Sequence, residues 1–514
     1  MNKRELSFLL LAILLPLSAW SGGIVTNTNQ SASFIRKPVQ DAVIDATGTY
    51  YNPAGLAFLE DGFHLSLNNQ TISQTRNINS TFPGMLNTEF EGKVSAPLFP
   101  TLYAVYKTNS LAFSFGFNPI GGGGSADFEK GLPSFEQEVA VLPARLTQAG
   151  IPTTAYELDA AFDGSSINWG LQVNASYALN EVFSVSAGIR YVMANNSYQG
   201  HLRNIMINPQ HPLNANGPGN MVSAPMFFGT VAFAANSAVD ALQPVIDNDA
   251  GGLTLPQLVN LGVITQEDAD QLAGGLGNNY DPSLTAEQIQ GAYAGIATQM
   301  TGLADATEDR ALDATQSGWG IAPVFGINIK FSEELNLAIK YELRTKITMT
   351  NSTEVDDVGM YPDGVEVRND MPAMLAAGLN YKPTKELSLS AGVHYYFDQS
   401  ADYGKALPND QIIDNNFLEL GFGAEYYIGN GLSLSAGYLR TQTGANDNFH
   451  SDLSHSLSTN SIGGGLRYAI NNNIAVNAGF MSTMYEPYTK DFTGYAETYD
   501  RSAMTFAVGF DFKF

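Results

Sequence analysis

The stretch MTFAVGFDFKF, residues 504–514, alternates so strictly that few folds can hold it. Met504, Phe506, Val508, Phe510, Phe512 and Phe514 fall on one face, and Thr505, Ala507, Gly509, Asp511 and Lys513 on the other. Period-two alternation marks a strand with one oily and one wet face. The pattern recurs in FSVSAGIRY (183–191), LNLAIKYELR (335–344), LSLSAGVHYY (387–396), LSLSAGYL (432–439) and IAVNAGFM (474–481), most of which share a Ser-Ala-Gly-like core. Each follows a partner strand and a short polar connection, and each pair is followed by a longer acidic loop. Short turns on one side and long loops on the other fit an outer-membrane barrel. Strands are expected near residues 63, 100, 111, 168, 183, 320, 335, 373, 387, 417, 432, 461, 474 and 504, an even number that leaves both barrel ends on the short-turn side. Tyr177, Tyr191, Tyr381, Tyr426, Tyr427 and Tyr468 suit an interfacial aromatic girdle.

Composition fits the same class. Charged residues are 15% of the 514, well under the roughly 25% of soluble proteins, yet mean hydropathy is only −0.08. Uncharged polar residues and 50 glycines make up the difference. A barrel with a polar lumen needs this mixture, though a large secreted β-protein would also have it. The net charge of −25 argues against a nucleic-acid partner. The absence of cysteine excludes disulfides, thiolate metal sites and a cysteine nucleophile. Lys3 and Arg4 followed by LSFLLLAILLPL and Ala19-Trp20-Ser21 read as a signal peptide over residues 1–21. No later apolar run reaches 18 residues, so any membrane span must be made of strands.

Two connections, 119–166 and 200–317, are too long for simple loops. The first holds SFEQEVAVLPARLTQAG, where Ser134 and Gln137 have capping-box spacing; in the second, Thr285 and Gln288 do. Val139, Leu142 and Leu146 could share one helical face, and Ile289, Tyr293, Ile296 and Met300 another. These faces either pack on each other or form an extracellular landing site for an oily ligand. Lumen-facing His64 and His394 are read as wall residues, and His394 is the one position worth testing for hydrolase chemistry. DNDAGG (247–252) starts like a calcium loop but has Leu258 at its twelfth position, so no metal site is expected. No G-x-S-x-G elbow or ATP motif is present, and no cofactor or enzymatic activity is expected.

The segment SASFIRKPVQDAVIDATGTYYNPAGLAFL, residues 31–59, precedes the first strand. Pro53 holds Asn52 away from helix, and Gly55 could adopt a positive φ, so Asn52-Pro53-Ala54-Gly55 reads as a rigid turn with oily flanks. With the strand pattern, this segment resembles the FadL/TodX family of outer-membrane transporters for long-chain fatty acids and aromatic hydrocarbons. The resemblance implies an all-β, transmembrane antiparallel barrel of about fourteen strands over residues 62–514. It also implies an N-terminal hatch over 22–61 that plugs the lumen and ends in this turn, with helical excursions outside. Arg36 and Asp45 would be the hatch's polar contacts. The family's A-x-A-D-D-A stretch appears as Ala42-Val43-Ile44-Asp45-Ala46, with one acid missing.

FSFGFNPIGGGG (113–124) is the second point of resemblance. Proline and glycine disfavour a continuous ladder, and the family is known for a third-strand kink that opens the wall sideways. Asn118, Pro119, Gly121 and Gly122 are the expected lateral opening; alternatively the strand ends at Asn118. The implied function is passive uptake of hydrophobic molecules such as fatty acids, hydrocarbons or detergents by a monomer in the outer membrane of a Gram-negative bacterium. Membrane lipid, lipopolysaccharide and the barrel assembly machinery, for which Phe514 is the expected terminal signal, would be its other partners. A general porin, a structural surface barrel and an outer-membrane hydrolase remain the alternatives.

Overall fold

The computed structural model describes residues 24–514; the expected signal peptide lies outside them. The chain closes into a 14-strand antiparallel barrel. Its staves are β1 (Gly62–Ser80), β2 (Glu89–Thr108), β3 (Leu111–Phe128), β4 (Tyr156–Ala178), β5 (Phe183–Ile207) and β6 (Arg310–Lys330). Two follow in two pieces each, β7 (Leu335–Glu342 and Thr348–Asp356) and β8 (Glu366–Arg368 and Met374–Tyr381). The rest are β9 (Leu387–Tyr396), β10 (Phe417–Gly429), β11 (Leu432–Gln442), β12 (Thr459–Ala469), β13 (Ile474–Tyr485, continued by Tyr488–Phe492) and β14 (Tyr495–Lys513). Each expected strand falls on a stave. β1 bonds β2 on one side and β14 on the other, where the register runs from His64 opposite Lys513 to Ser80 opposite Glu497.

The alternation sorts side chains as the sequence implies. Met504, Phe506 and Phe510 are exposed on the outer face, while Thr505 and Ala507 are buried within. All six girdle tyrosines are exposed. Such an oily exterior is satisfied by lipid or detergent.

The two longest connections are shorter than expected. β3 continues to Phe128 and β4 begins at Tyr156, so the first loop is 129–155 rather than 119–166. β5 and β6 likewise reduce the second from 200–317 to 208–309. β4 and β5 contain 23 and 25 residues, which at about 3.3 Å per residue is roughly twice the height of the ~25 Å apolar band even with a ~45° tilt. Their upper parts, such as AAFDGSS, stand clear of lipid and lack the oily alternation that marks a strand in sequence.

The first loop carries α1 (Pro133–Ala140) and α2 (Leu142–Gln148); the second carries α3 (Ala224–Asp247), α4 (Leu255–Asn260), α5 (Gln266–Leu276) and α6 (Ala286–Ala306). The Thr285–Gln288 capping box forms, but the Ser134–Gln137 one does not. Pro133 takes the first helical position, its N-cap is Leu132, and Gln137 instead donates to Glu497 at 2.8 Å. No helix among the described residues is long and apolar enough to cross a membrane.

Candidate functional site

Residues 24–59 contribute no stave, and side chains from around the barrel converge on them. This segment is built from short pieces: the helical turn Ala32–Arg36 has no room to grow between Ser31, which caps it by accepting from Phe34 N at 3.1 Å, and Pro38. Its backbone is bonded by the wall: Asn68 to Ala32 N, Tyr103 to Gln30 O, Gln172 and Asn174 to Thr49 O, Ser176 to Pro53 O, Ser184 to Ala54 O, Asn336 to Ala42 O and Lys340 to Tyr50 O, all between 2.6 and 3.1 Å. Buried backbone groups need such partners where no sheet supplies them.

Wall glycines let the segment lie this close. A Cβ at Gly392 would meet Asp41 and Val39, one at Gly437 would meet Pro38, and one at Gly479 would meet Arg36 and Ile35. These are the glycines of three of the four Ser-Ala-Gly-like cores, where the repeat gives clearance to residues 35–41; Gly188 of the fourth instead meets Asn174 and Val173 O of β4.

Charges are paired across the same boundary. Arg36 donates to Glu425, to Asn477 at 3.1 Å and to Ser435 at 2.9 Å. His394 places Nε2 2.7 Å from Asp41 and Nδ1 2.8 Å from Glu419. Because ionised carboxylates only accept, both ring nitrogens donate when both acids are ionised. Arg190 and Lys340 converge on Glu342, at 2.6 and 2.7 Å, beside the Tyr50 ring.

The other expected hatch residues behave differently from one another. Asp45 makes a local cap, accepting from Thr47 N at 2.8 Å, and among the described residues it has no wall hydrogen bond of the kind Arg36 has. Ala46 packs with Leu56, Val105 and Ala112, so a second acid there would enter an apolar cluster. Asn52 accepts from Gly55 N at 3.0 Å and donates to Asn328 of β6 at 2.8 Å. Pro53 and Ala54 open a 3-10 helix, Pro53–Phe58, rather than a simple turn. Gly55 is not among the residues of positive φ. It is needed because the Asn52 amide occupies the place of a Cβ.

β3 does not end at Asn118, but its ladder to β2 breaks there. Pairing runs from Thr108–Leu111 to Leu102–Phe117, then stops until Val94–Ala126. Pro97 and Pro100 on β2 and Pro119 on β3 lack donors for this seam, and Pro97-Leu98 form a bulge against β1. β4 still holds β3, with Pro119 opposite Trp169, Gly121 opposite Asn168 and Gly122 opposite Ile167. Asn27 N and Nδ2 donate to Ile120 O at 2.8 Å and Gly122 O at 3.2 Å, and Asn118 donates to Gln30 at 2.9 Å. Gly122 has φ of +66° and Gly121 has Val25 O where a Cβ would sit. The proposed opening and the N-terminal segment are therefore one bonded unit. Pro97 and Pro100 carry the same signal as Pro119 and were legible as donor-free positions.

Of the two readings of the helical faces, the structure places the residues in mutual packing. Val139, Leu142 and Leu146 are buried with Phe227, Phe228 and Met300, and Ile289 and Tyr293 with Leu255, Leu258 and Leu272. Ile296 packs against both clusters. These faces are consumed by helix–helix packing, and Tyr293 also donates to Leu272 O at 2.7 Å.

Sequence reasoning missed a loop that folds inward between β11 and β12. Within it Phe449, His450, Leu453, His455 and Leu457 are buried. Phe449 joins a core that contains Tyr50 and Tyr51. Lys405 donates to Ser454 at 3.0 Å, Lys490 to His450 O at 2.7 Å, and Ser134 N to Asp452 at 2.9 Å. Burial pushes His450 down to about 4 and Lys405 down to about 7. Its polar sequence, NDNFHSDLSHSLS, gives little sign of this beyond Phe449, Leu453 and Leu457.

The molecule is thus a closed barrel with an interrupted seam and chain packed against its inner wall. Solved structures share this fold. The crystal structure of a Pseudomonas aeruginosa FadL homologue aligns with a TM-score of 0.56 and 13% identity, covering 97% of this chain and 100% of that one. The Ralstonia pickettii toluene transporter TbuX aligns at 0.50 and 17%, covering 94% and 97%. The Pseudomonas putida toluene transporter TodX aligns at 0.50 and 14%, covering 98% and 100%. At these identities the likeness establishes the fold. No protein-family model matches the sequence, and no curated protein does.

Proposed function

We propose that this protein is an outer-membrane channel for passive uptake of hydrophobic small molecules, plugged by residues 24–61 and discharging through the interrupted β2–β3 seam. The observation that carries the reading is the broken ladder between Leu102–Phe117 and Val94–Ala126, with Asn27 and Gln30 bonded to its edge from within. Fatty acids and hydrocarbons are the substrate classes: water-filled pores exclude them, and an opening onto lipid releases them where they partition best. The solved neighbours described as toluene transporters agree with that substrate class. The segment's contacts around the barrel disfavour an open porin. His394, with both nitrogens on carboxylates, has no free base to offer a hydrolase.

The test is to close the seam. Continuing the Val94–Ala126 register would set Ser95 opposite Ser125, and the chain has no native cysteine. Ser95→Cys with Ser125→Cys should therefore cross-link on oxidation and draw the upper edge together. Uptake of a labelled long-chain fatty acid and of toluene is expected to fall several-fold in oxidised cells and recover on reduction. Equal uptake in both states, with the cross-link verified, rules out lateral discharge.

A further inference from the structure

The wall has a second irregularity, away from the β3 seam. Pairing of β6 with β7 runs from Lys330–Asn336 to Val324–Glu342 and resumes at Trp319–Thr348, so four residues of β6 face five of β7. The extra residue is a bulge, and it switches which side chains of β7 point outward. Below it these are Ile339, Tyr341 and Leu343; above it they are Lys346, Thr348 and Thr350. A Cβ at Gly318 would meet Thr348 O and Ile347, and one at Gly320 would meet Lys346 O and Thr345. β7 therefore steps inward over these glycines. Its ladder with β8 breaks at the same level, between Glu342–Met374 and Thr348–Arg368. The outer wall is dented there by a cleft of about 730 Å³, whose lining includes Tyr191, Trp319, Ile321, Lys346 and Thr348.

The dent sits where lipid headgroups begin. Trp319 is 11 residues above the periplasmic end of β6 at Lys330, roughly 25 Å at about 3.3 Å per residue and ~45° tilt, which is the top of the apolar band. Trp319 is 60% exposed and its ring lies 5.8 Å from that of Tyr191, as in an interfacial belt. Cations stand at the same height. Lys346 is exposed on the outer face, and among the described residues no ion pair involves it. Arg368 stands opposite Thr348 and donates to its hydroxyl at 3.3 Å. Arg368 and Arg344 share one fully buried carboxylate, Asp370, which also accepts from Ile347 N at 3.1 Å and so is tied to the bulge. Two other acids at this end, Glu366 on the rim and Asp402, are exposed to water, and Asp402 accepts from Gly404 N at 3.0 Å.

We infer that this dent binds the phosphorylated headgroup of an outer-leaflet glycolipid, lipopolysaccharide, with Lys346 and Arg368 on one phosphate and an acyl chain against Trp319, Tyr191 and Ile321. A phosphomonoester carries more than one negative charge near neutral pH. It accepts two parallel bonds from a guanidinium and a point charge from an ammonium. Charge complementarity selects this occupant. The chain as a whole, at −25, repels anionic lipid, whereas a neutral oil would make no use of the cations or of the buried acid that braces one of them. The site faces the membrane rather than the lumen. This inference rests on the outer-membrane reading and is independent of the route of uptake.

The purified full-length protein in detergent micelles should be titrated with diphosphorylated lipid A and with the same lipid stripped of both phosphates, bound lipid being counted by native mass spectrometry. The phosphorylated form is expected to bind at least about tenfold tighter. Lys346→Gln combined with Arg368→Gln should remove most of that ratio and leave the stripped lipid within about twofold; Arg368→Lys should retain part of it. Lys93→Gln, at an exposed lysine of β2, should leave the ratio unchanged. Folding is checked by heat-modifiable migration. If the double variant misfolds, Lys346→Gln alone decides, because that exposed side chain has no ion pair to lose. Excess inorganic phosphate should not displace the lipid; displacement would make this a free-anion site and overturn the lipid assignment. Equal wild-type affinities, or a Lys93→Gln effect as large as that of the double variant, overturn the site and leave the outer-membrane reading intact. A protein that stays monomeric in water without detergent overturns the membrane reading instead.

Discussion

Two stretches of chain turn inward from this wall, residues 24–59 and the β11–β12 loop around His450, and they are held by different chemistry. The first meets a wall prepared for it: carbonyls of Ala42, Thr49, Tyr50, Pro53 and Ala54 all receive donors, and glycines clear its path. The second is held mainly by stacked rings and by lysines reaching its backbone. The rings of His450 and Tyr488 stack with centroids 4.0 Å apart, yet among the described residues neither ring nitrogen of His450 has a hydrogen-bond partner. Satisfied polar networks are rigid, whereas buried groups without partners weaken the packing that buries them. The difference teaches which insert can move: the N-terminal segment is built to stay, and the outer loop to yield.

The contrast breaks most completely if the segment is removed or displaced. Deleting residues 24–55 takes away no ladder bond, so the barrel should still fold and remain heat-modifiable. Single-channel conductance in planar bilayers should rise severalfold or more. Gly437→Leu with Gly479→Leu is the subtler form, because the added side chains enter space held by Pro38 and Arg36. Overpacking of about 1–3 kcal/mol at each position should shift the segment toward a displaced state. Unchanged conductance in both variants shows that the segment does not occlude the lumen.

The next effect concerns one anchor. His394→Ala leaves Asp41 and Glu419 facing each other without the imidazole between them. Breaking a buried charged contact costs about 3–5 kcal/mol, so the segment should loosen although the wall persists. Trypsin cleavage after Arg36, which is buried in the native protein, reads this directly. Ser390→Ala removes the 3.0 Å bond from Lys37 and the 2.9 Å bond from Asn380 but leaves the carboxylate–imidazole contacts intact, and should expose the site less, by roughly 1–2 kcal/mol. Equal protection in the two variants means that His394 is not an anchor.

How much of this was legible follows the same division. Alternation located every stave because lipid imposes an oily outer face, and it faded where β4 and β5 rise clear of lipid. The Ser-Ala-Gly repeat was visible, but its meaning depends on residues 35–41 lying over it, a contact no local pattern encodes. The resemblance at Asn52-Pro53-Ala54 located the segment's end, while the reason for Gly55 required the Asn52 amide. Helical faces at Val139 and Ile289 were legible as apolar, but the sequence leaves open whether they pack on each other or wait for a ligand, since periodicity identifies a buried face without naming what covers it. The burial of His450 and His455 was not legible, because it is wholly tertiary.

The smallest expected effect is a pH response, and it sharpens the comparison by separating the outer loop from its neighbour. His450 is held at about 4, below the ordinary histidine value of 6.5, because desolvation disfavours its charged form. Between those values the undocked loop binds more protons than the docked one, so docking strengthens as pH rises and weakens as it falls. Asp398, just after β9, is pushed up to about 6 from 3.8 by burial, while it accepts from Tyr403 at 2.6 Å. For this acid the docked form holds the extra proton, and docking strengthens as pH falls through the same range. Lys405, held at about 7, is protonated in both states there and cancels; its own contribution comes above neutrality, where docking strengthens with rising pH. Amide hydrogen exchange, corrected for intrinsic rates, should therefore show protection at residues 449–457 falling and at 398–403 rising as pH drops from about 6 to about 4. Each shift is bounded by about 1.4 kcal/mol per pKa unit and will be smaller once water enters the opened loop. Parallel changes in the two segments would show that burial of these two groups does not govern how the mouth opens.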